Sequence, residues 1–266
     1  MTPDETARAA EALFQAERTG QQIGLLSRQF PGMSMDDAYG VQVALVARKM
    51  QAGRKRIGWK IGLTSRAMQD ALKIDTPDSG VLLDDMRFGN GAEVPAGRFI
   101  QPRVEAEIAF VMKSALAGAE CSREDVVNAT DHVAPALEIL DTRILRADPE
   151  TGQTRIITDT IADNAANAGI VLGRQRHALD DFDLRWVGAI VTRDNTVEET
   201  GLGAGVLNDP ITSVLWLARR MADYGQSIKA GDIVLSGSFI RPLEAPPGTT
   251  IAADYGPFGT VHIQFA

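Results

Sequence analysis

Pro102-Arg-Val-Glu-Ala-Glu-Ile-Ala-Phe110 decides how the chain folds and where its chemistry lies. Read as a β-strand, its side chains alternate between two faces. Glu105, Glu107 and Ala109 point one way; Val104, Ala106, Ile108 and Phe110 point the other. An isolated pair of this kind is ordinarily a half-buried strand with its glutamates in water.

A second stretch, Pro135-Ala-Leu-Glu-Ile-Leu-Asp141, changes that balance. Glu138 sits inside an apolar run that reads as a buried strand. A buried carboxylate needs a cation or must hold a proton. A structural ion pair with Arg143 or Arg103 is one solution. The other is that Glu105, Glu107 and Glu138 converge on a divalent cation, because three carboxylates repel one another without one. A hard ion such as Mg²⁺ takes oxygen ligands in octahedral geometry. Three carboxylates leave three positions open, which suits an α-keto acid chelating through a carboxylate oxygen and its keto oxygen.

Outward from these strands, residues 1–54 read as a helical segment and 55–266 as a β-rich catalytic domain. Thr2 caps a first helix with Pro3 at its first position and Glu5 three residues after the cap; Gly20 stops it. Ser34 caps a second helix that Gly53 ends. Strands are expected over 57–63, 104–111 and 134–140, the last preceded by a short helix capped by Ser122. A hairpin over 185–192 and 196–202 turns at Asp194-Asn195. A helix runs from Pro210 to about Tyr224, and late strands cover 233–236, 250–254 and 260–265. Short, irregularly spaced strands with few helices between them favour a barrel or sandwich over a doubly wound sheet.

The whole chain has 266 residues, 44% hydrophobic and 23% charged, with a net charge of −8. That is enough chain to bury a large core unaided. The acidic balance argues against nucleic acid and against an anionic membrane surface. A single cysteine, Cys121, excludes an internal disulfide and favours the reducing cytoplasm. Three histidines without ligand spacing do not suggest a zinc site. No apolar run approaches the roughly 18 residues of a membrane span, and the acidic N-terminus does not resemble a signal peptide. Gly201-Leu-Gly-Ala-Gly205 lacks the spacing of a phosphate-binding loop.

Other candidates are weaker. In Gly58-Trp-Lys-Ile-Gly62, Lys60 is either a surface lysine or a cation beside the carboxylates that stabilises an enolate or moves a proton. Asp78, in Asp75-Thr-Pro-Asp-Ser-Gly80, is a turn former or a base; local chemistry favours the turn. In Thr158-Asp-Thr-Ile-Ala-Asp-Asn164 the hydroxyls and acids read first as caps of a short helix. In Ser236-Gly-Ser-Phe239 a tight turn is the simpler reading, and carboxylate binding by Ser238 is the other.

Five motifs, Gly58-Trp-Lys-Ile-Gly-Leu-Thr-Ser65, Pro102–Glu107, Glu138-Ile-Leu-Asp141, Ile161-Ala-Asp-Asn164 and Gly231–Gly237, resemble in this order the hydratase/decarboxylase branch of the fumarylacetoacetate hydrolase superfamily. Ala67-Met-Gln69, Leu82–Met86, Asp183–Trp186 and Gly237–Pro242 further resemble hydratases of seven-carbon 2-oxo dioates. The resemblance implies an α+β fold with a mixed β-barrel or roll core and an N-terminal helical part. It also implies a Mg²⁺ or Mn²⁺ site on Glu105, Glu107 and Glu138, and a homo-oligomer. It makes Lys60 and Asp78 catalytic candidates and Thr160 and Ser238 substrate contacts. One departure matters. Hydrolases of the superfamily carry a lysine some twenty residues after the third ligand, whereas this chain has none between Lys113 and Lys229. Lys60 then takes the cationic role, and carbon–carbon bond hydrolysis is disfavoured.

The implied reaction is hydration of a 2-oxo or 2-hydroxy dienoic acid in aromatic meta-cleavage catabolism. The expected case is 2-oxohept-3-ene-1,7-dioate giving 4-hydroxy-2-oxoheptanedioate. Arg66, Arg103, Arg143 and Arg155 are candidates for a second substrate carboxylate. Alternatives are a 4-oxalocrotonate decarboxylase-like enzyme, a 2-hydroxypenta-2,4-dienoate hydratase, and a non-catalytic partner of a pathway enzyme. A pathway aldolase or decarboxylase is a candidate partner protein.

Overall fold

A computed structural model of the chain describes residues 1–66, 69–70 and 74–266. Of the motif Ala67-Met-Gln69, Ala67 and Met68 therefore lie outside the described residues. The chain begins with helices α1 (Pro3–Thr19), α2 (Leu26–Gln29) and α3 (Met35–Gln51). Strands β1 (Arg56–Gly62), β2 (Asp78–Leu83), β3 (Arg87–Phe88), β4 (Glu93–Val94) and β5 (Arg103–Met112) follow. Next come α4 (Arg123–Ala129), β6 (Thr130–Leu140), α5 (Ile157–Ala162), β7 (Asn167–Leu172), β8 (Gly188–Arg193) and β9 (Thr196–Leu202). The chain closes with α6 (Pro210–Asp223), β10 (Ile233–Ser238), β11 (Leu243–Glu244), β12 (Thr250–Asp254) and β13 (Thr260–Phe265).

The helix starts follow local chemistry. Thr2, Ser34 and Ser122 each accept a backbone N–H at the third helical position, with the acid there answering the cap. Asp209 caps α6 with Pro210 behind it. α1 stops at Gly20, whose φ of 69° is left-handed.

The strands form two sheets. An eight-stranded sheet runs β2-β1-β10-β5-β6-β7-β3, with β11 also on β5; a five-stranded sheet runs β4-β13-β12-β8-β9. The larger sheet curls into a half-barrel. β5 is central, antiparallel to both β6 and β10. Ile108, Phe110, Leu137 and Ile61 face the second sheet, where Ile251, Val261 and Ile263 complete the main core. On the opposite face Leu82, Ala109, Ala136, Ile170 and Leu235 form a smaller apolar floor. Glu105 and Glu107 share that second face.

The N-terminal helices build a wall beside this face. Leu13, Leu26, Val41 and Leu45 bury against Ile144 and Ile161. Polar ties fix the docking: the Gln42 side-chain amide donates to the carbonyls of Ser79 (2.9 Å) and Ile161 (3.0 Å). Asp159 accepts both the backbone N–H and the hydroxyl of Ser27, at 2.8 and 2.7 Å. α5 is thereby held between the helices and the sheet.

Several local expectations fail. Asp75–Gly80 was expected to be a turn, yet Asp78 opens a fully buried strand. Tertiary pairing with β1 overrides the turn preference of Asp-Ser-Gly. The strand expected from Arg185 starts only at Gly188, because Asp183 and Arg185 pair locally in a turn. The capping expected of Thr158–Asn164 holds only for an acid, since Thr158 lies within α5. Asp159 accepts the N–H of Ile156, the residue that precedes the helix. The small-residue run after Asn164 contains β7, and α2 was not anticipated.

Candidate metal centre and active site

The register of two strands creates the site. Glu105 on β5 stands directly opposite Glu138 on β6, and Glu107 lies two residues along on the same face. One carboxylate oxygen from each of the three lies within 4.8 Å of the others. Glu107 and Glu138 are completely buried, while Glu105 is half-buried at the wall of a cavity. Glu107 Oε1 and both oxygens of Glu138 are buried with no hydrogen-bond partner among the described residues. Acceptors of this kind are costly to bury unless a cation or proton satisfies them, and Lys60 approaches only Glu138 Oε1, at 3.4 Å. Burial first, and repulsion from Glu138 second, push the Glu105 carboxyl up to about 8 and the Glu107 carboxyl well above its ordinary range. Burial likewise raises Glu138. A donor set of three oxygen anions, short of positive charge, fits a hard divalent ion.

Glu107 is held from two sides. The backbone N–H of Gly237 donates to its Oε2 at 2.8 Å. Gly237 has φ of 115°, and a side chain there would run into Thr64. The Tyr255 hydroxyl accepts the Glu107 N–H (3.1 Å) and donates to the Ala136 carbonyl (2.6 Å), pinning the β5–β6 ladder at this point.

Lys60 comes from β1. It is 4% exposed, and its Nζ lies 3.4 Å from Glu138 Oε1. Glu138's cation is therefore Lys60. Neither arginine considered from the sequence pairs with it: Arg143 is buried against Asp163, and Arg103 pairs with Glu244. Burial would lower the Lys60 pKa, but Glu138, Asp78, Glu105 and Glu107 outweigh it and hold the ammonium above its usual value. Asp78, on β2 opposite Gly62, is buried and its Oδ1 has no hydrogen-bond partner among the described residues. Burial raises its pKa, against the pull of Lys60, the Gly62 N–H and Arg155. Two glycines make room. A Cβ at Gly62 would collide with Asp78 Oδ1 and come within 3.0 Å of Lys60 Nζ; one at Gly80 would lie 3.1 Å from Lys60 Cγ.

These groups share a cavity of about 570 Å³ with Thr160 and Ser238. Thr160 reaches the cavity from α5. The Ser238 hydroxyl donates to the Ile240 carbonyl (2.9 Å) and accepts its N–H (3.2 Å), so the local turn and a place on the cavity wall coexist. Asn164, Ala165 and Ala166 all have φ between 53° and 57°. Asn164 holds this strained turn by exchanging hydrogen bonds with the Val81 backbone, at 2.8 and 2.9 Å, and the two alanines line the cavity. Sequence reading missed Tyr255 and this turn. Alanines announce no left-handed conformation, and Tyr255 acts through a partner more than a hundred residues away. The Asn in Ile161–Asn164 was the one available signal.

Among proteins of known name, a 2-oxo-hept-4-ene-1,7-dioate hydratase of Escherichia coli is 48% identical over 256 residues, 96% of each chain. A 2-keto-4-pentenoate hydratase of Paraburkholderia xenovorans (strain LB400) is 38% identical over 265 residues, covering 100% of this chain and 96% of that one. The chain belongs to the hydratase/decarboxylase branch of the fumarylacetoacetate hydrolase superfamily. Within this branch, the structure of 4-oxalocrotonate decarboxylase from Pseudomonas putida G7, complexed with magnesium and adipate, superposes with a TM-score of 0.93. It is 33% identical and covers 100% of this chain and 99% of that one. No protein-family model matches the sequence. Membership of the branch agrees with the mixed, helix-flanked sheet found here. Among the described residues no helix is long and apolar enough to cross a membrane.

Proposed function

We propose that this chain is a divalent-metal-dependent hydratase of 2-oxo dienoic acids in aromatic meta-cleavage catabolism, acting on the seven-carbon diacid 2-oxoheptenedioate. The observation that carries the reading is the buried Glu105–Glu107–Glu138 trio with its orphaned oxygens, set beside Lys60. A Mg²⁺ or Mn²⁺ ion held there would supply Lewis-acid polarisation of the substrate's C2 oxygen.

The remaining steps belong to the protein. Lys60 places a fixed positive charge where negative charge builds on that oxygen. Asp78 takes a proton from C3 of the 2-oxo-4-ene form and returns it to C5, leaving a C3–C4 double bond conjugated to the ketone. Water adds at C4, and a proton returns to C3, giving 4-hydroxy-2-oxoheptanedioate. The 3-ene expected from the sequence and the 4-ene in the relative's name thus differ by one proton shift on a single route. Thr160 and Ser238, both on the cavity wall, would contact the substrate. The working form is a cytoplasmic homo-oligomer; the single, buried Cys121 is consistent with a reducing compartment.

The test follows dienoate absorbance with purified protein and Mg²⁺, then with EDTA, and identifies the product by mass. Gain of one water, abolished by EDTA, supports hydration. Release of CO₂ from a 2-oxo dioate would favour decarboxylation instead, a second reading suggested by the close superposition on the decarboxylase.

A further inference from the structure

Four arginines line the cavity that holds Lys60 and Glu105: Arg103, Arg146, Arg155 and Arg241. Three have acidic partners. Arg103 and Arg146 both pair with Glu244, at 2.5 and 2.7 Å, and Arg241 pairs with Glu199 at 2.5 Å. Arg155 has no carboxylate within 4.0 Å among the described residues. Its one side-chain hydrogen bond there is donated by Nη1 to the Thr142 hydroxyl at 2.5 Å, which braces the guanidinium and leaves most of its N–H fork unused. Its backbone is fixed too: Arg155 N–H donates to the Arg146 carbonyl beside the Ala147–Thr154 bridge. Burial lowers its pKa most; Asp163 and Asp159, neither of them within 4.0 Å, pull it up, and Arg143 and Arg146 push it down. A partly buried cation with an open fork and no carboxylate in direct contact among the described residues is suited to take up an anion.

We propose that Arg155 binds the carboxylate at the far end of a dicarboxylic 2-oxo acid and so makes the enzyme select diacids over monoacids. This rests on the hydratase reading for the identity of the near end, which sits at the glutamate trio and Lys60. Ile156, Ile157 and Leu140 also line the cavity and give it an apolar wall suited to the methylene carbons. Asp78, at the reacting end, lines the same cavity as Arg155. Arg143, a candidate from the sequence, is consumed by Asp163, and Arg66 is exposed and paired with Asp70.

The test measures calorimetric binding of 2-oxoheptanedioate and 2-oxoheptanoate, saturated acids of equal length, to the full-length Mg²⁺-loaded protein. The wild type is expected to favour the diacid by about 10- to 100-fold, the range of a hydrogen-bonded charge pair. Arg155→Gln should bring that ratio close to one, with the loss falling on the diacid. Arg155→Lys should restore part of it, and Arg241→Gln should leave it as in the wild type. A wild type that does not discriminate, an Arg155→Gln ratio that is unchanged, an equal loss of both ligands, or collapse of the ratio in Arg241→Gln would each overturn the assignment. Water addition to the dienoate is scored separately. Discrimination without hydration would retire the hydratase reading and leave Arg155 in its role; hydration without discrimination would do the reverse.

Discussion

Glu105 and Glu138 face each other directly across the β5–β6 ladder, a position where like charges weaken a sheet. Two carboxylates placed this way cost stability in the metal-free protein and gain a use only when a cation lies between them. Glu105→Gln removes the repulsion and keeps the Lys60–Glu138 pair. The metal-free variant should be at least as stable as the wild type, by up to about 1 kcal/mol, and unfold at the same or a higher temperature. The rise in melting temperature on adding Mg²⁺ should shrink or vanish. Differential scanning calorimetry with and without Mg²⁺ reads both effects.

Lys60 carries its charge at a buried position on the cavity wall. Replacing it with Met leaves Glu138 without its cation, and breaking one side of a buried pair costs about 3–5 kcal/mol before protonation relieves it. Turnover should fall by about 10²–10³-fold, with kcat reduced more than KM rises, because the charge acts where the oxygen becomes negative. Steady-state kinetics on the folded variant, checked by circular dichroism, separates the two losses.

Gly62 is silent in composition and decisive in space. A methyl group there would meet Asp78 Oδ1 and Lys60 Nζ together. Gly62→Ala should cost about 1–3 kcal/mol of stability by overpacking and lower kcat by displacing both groups. Gly20→Ala is the comparison for stability: nothing lies within 4 Å of that position, although its φ of 69° adds local strain. It should leave kcat unchanged.

Acid sensitivity should arise at a residue that does not line the cavity, Asp148. The Asp148 carboxyl accepts the Thr151 N–H and hydroxyl and the Glu150 N–H, and pairs with Arg28 on α2. The Thr151 backbone bond first, with the Arg28 pair also contributing, holds it down to about 2 from 3.8. A carboxyl lowered in the folded state adds stability above its unfolded pKa and loses that contribution as pH falls through the folded value. The melting-temperature gap between wild type and Asp148→Asn should therefore be full above pH 4 and close as the pH falls toward 2.

Much of this was legible from local pattern. Capping boxes fixed the starts of α1, α3 and α4, because a cap and its answering acid lie within four residues. The three glutamates were found because period-two alternation places Glu105 and Glu107 on one face, and because an acid inside Leu137–Ile139 has few cheap solutions. What local pattern could not reach were contacts set by register. Asp78 looked like a turn residue until pairing with β1 buried it opposite Gly62. Arg143 and Arg103 were weighed as ion-pair partners of Glu138, but its cation is Lys60, already a candidate beside the carboxylates, 78 residues away and on another strand. Arg155 could not be ranked until the partners of Arg103, Arg146 and Arg241 were seen to be taken.

The central claim is that three side chains hold one ion. Crystals soaked in Mn²⁺ and measured at the manganese edge test it directly. The account requires a single anomalous peak at about 2.0–2.2 Å from oxygens of Glu105, Glu107 and Glu138, absent in Glu107→Gln crystals treated alike. A peak seated elsewhere in the chain, or none at this trio while dienoate is still hydrated, would contradict it.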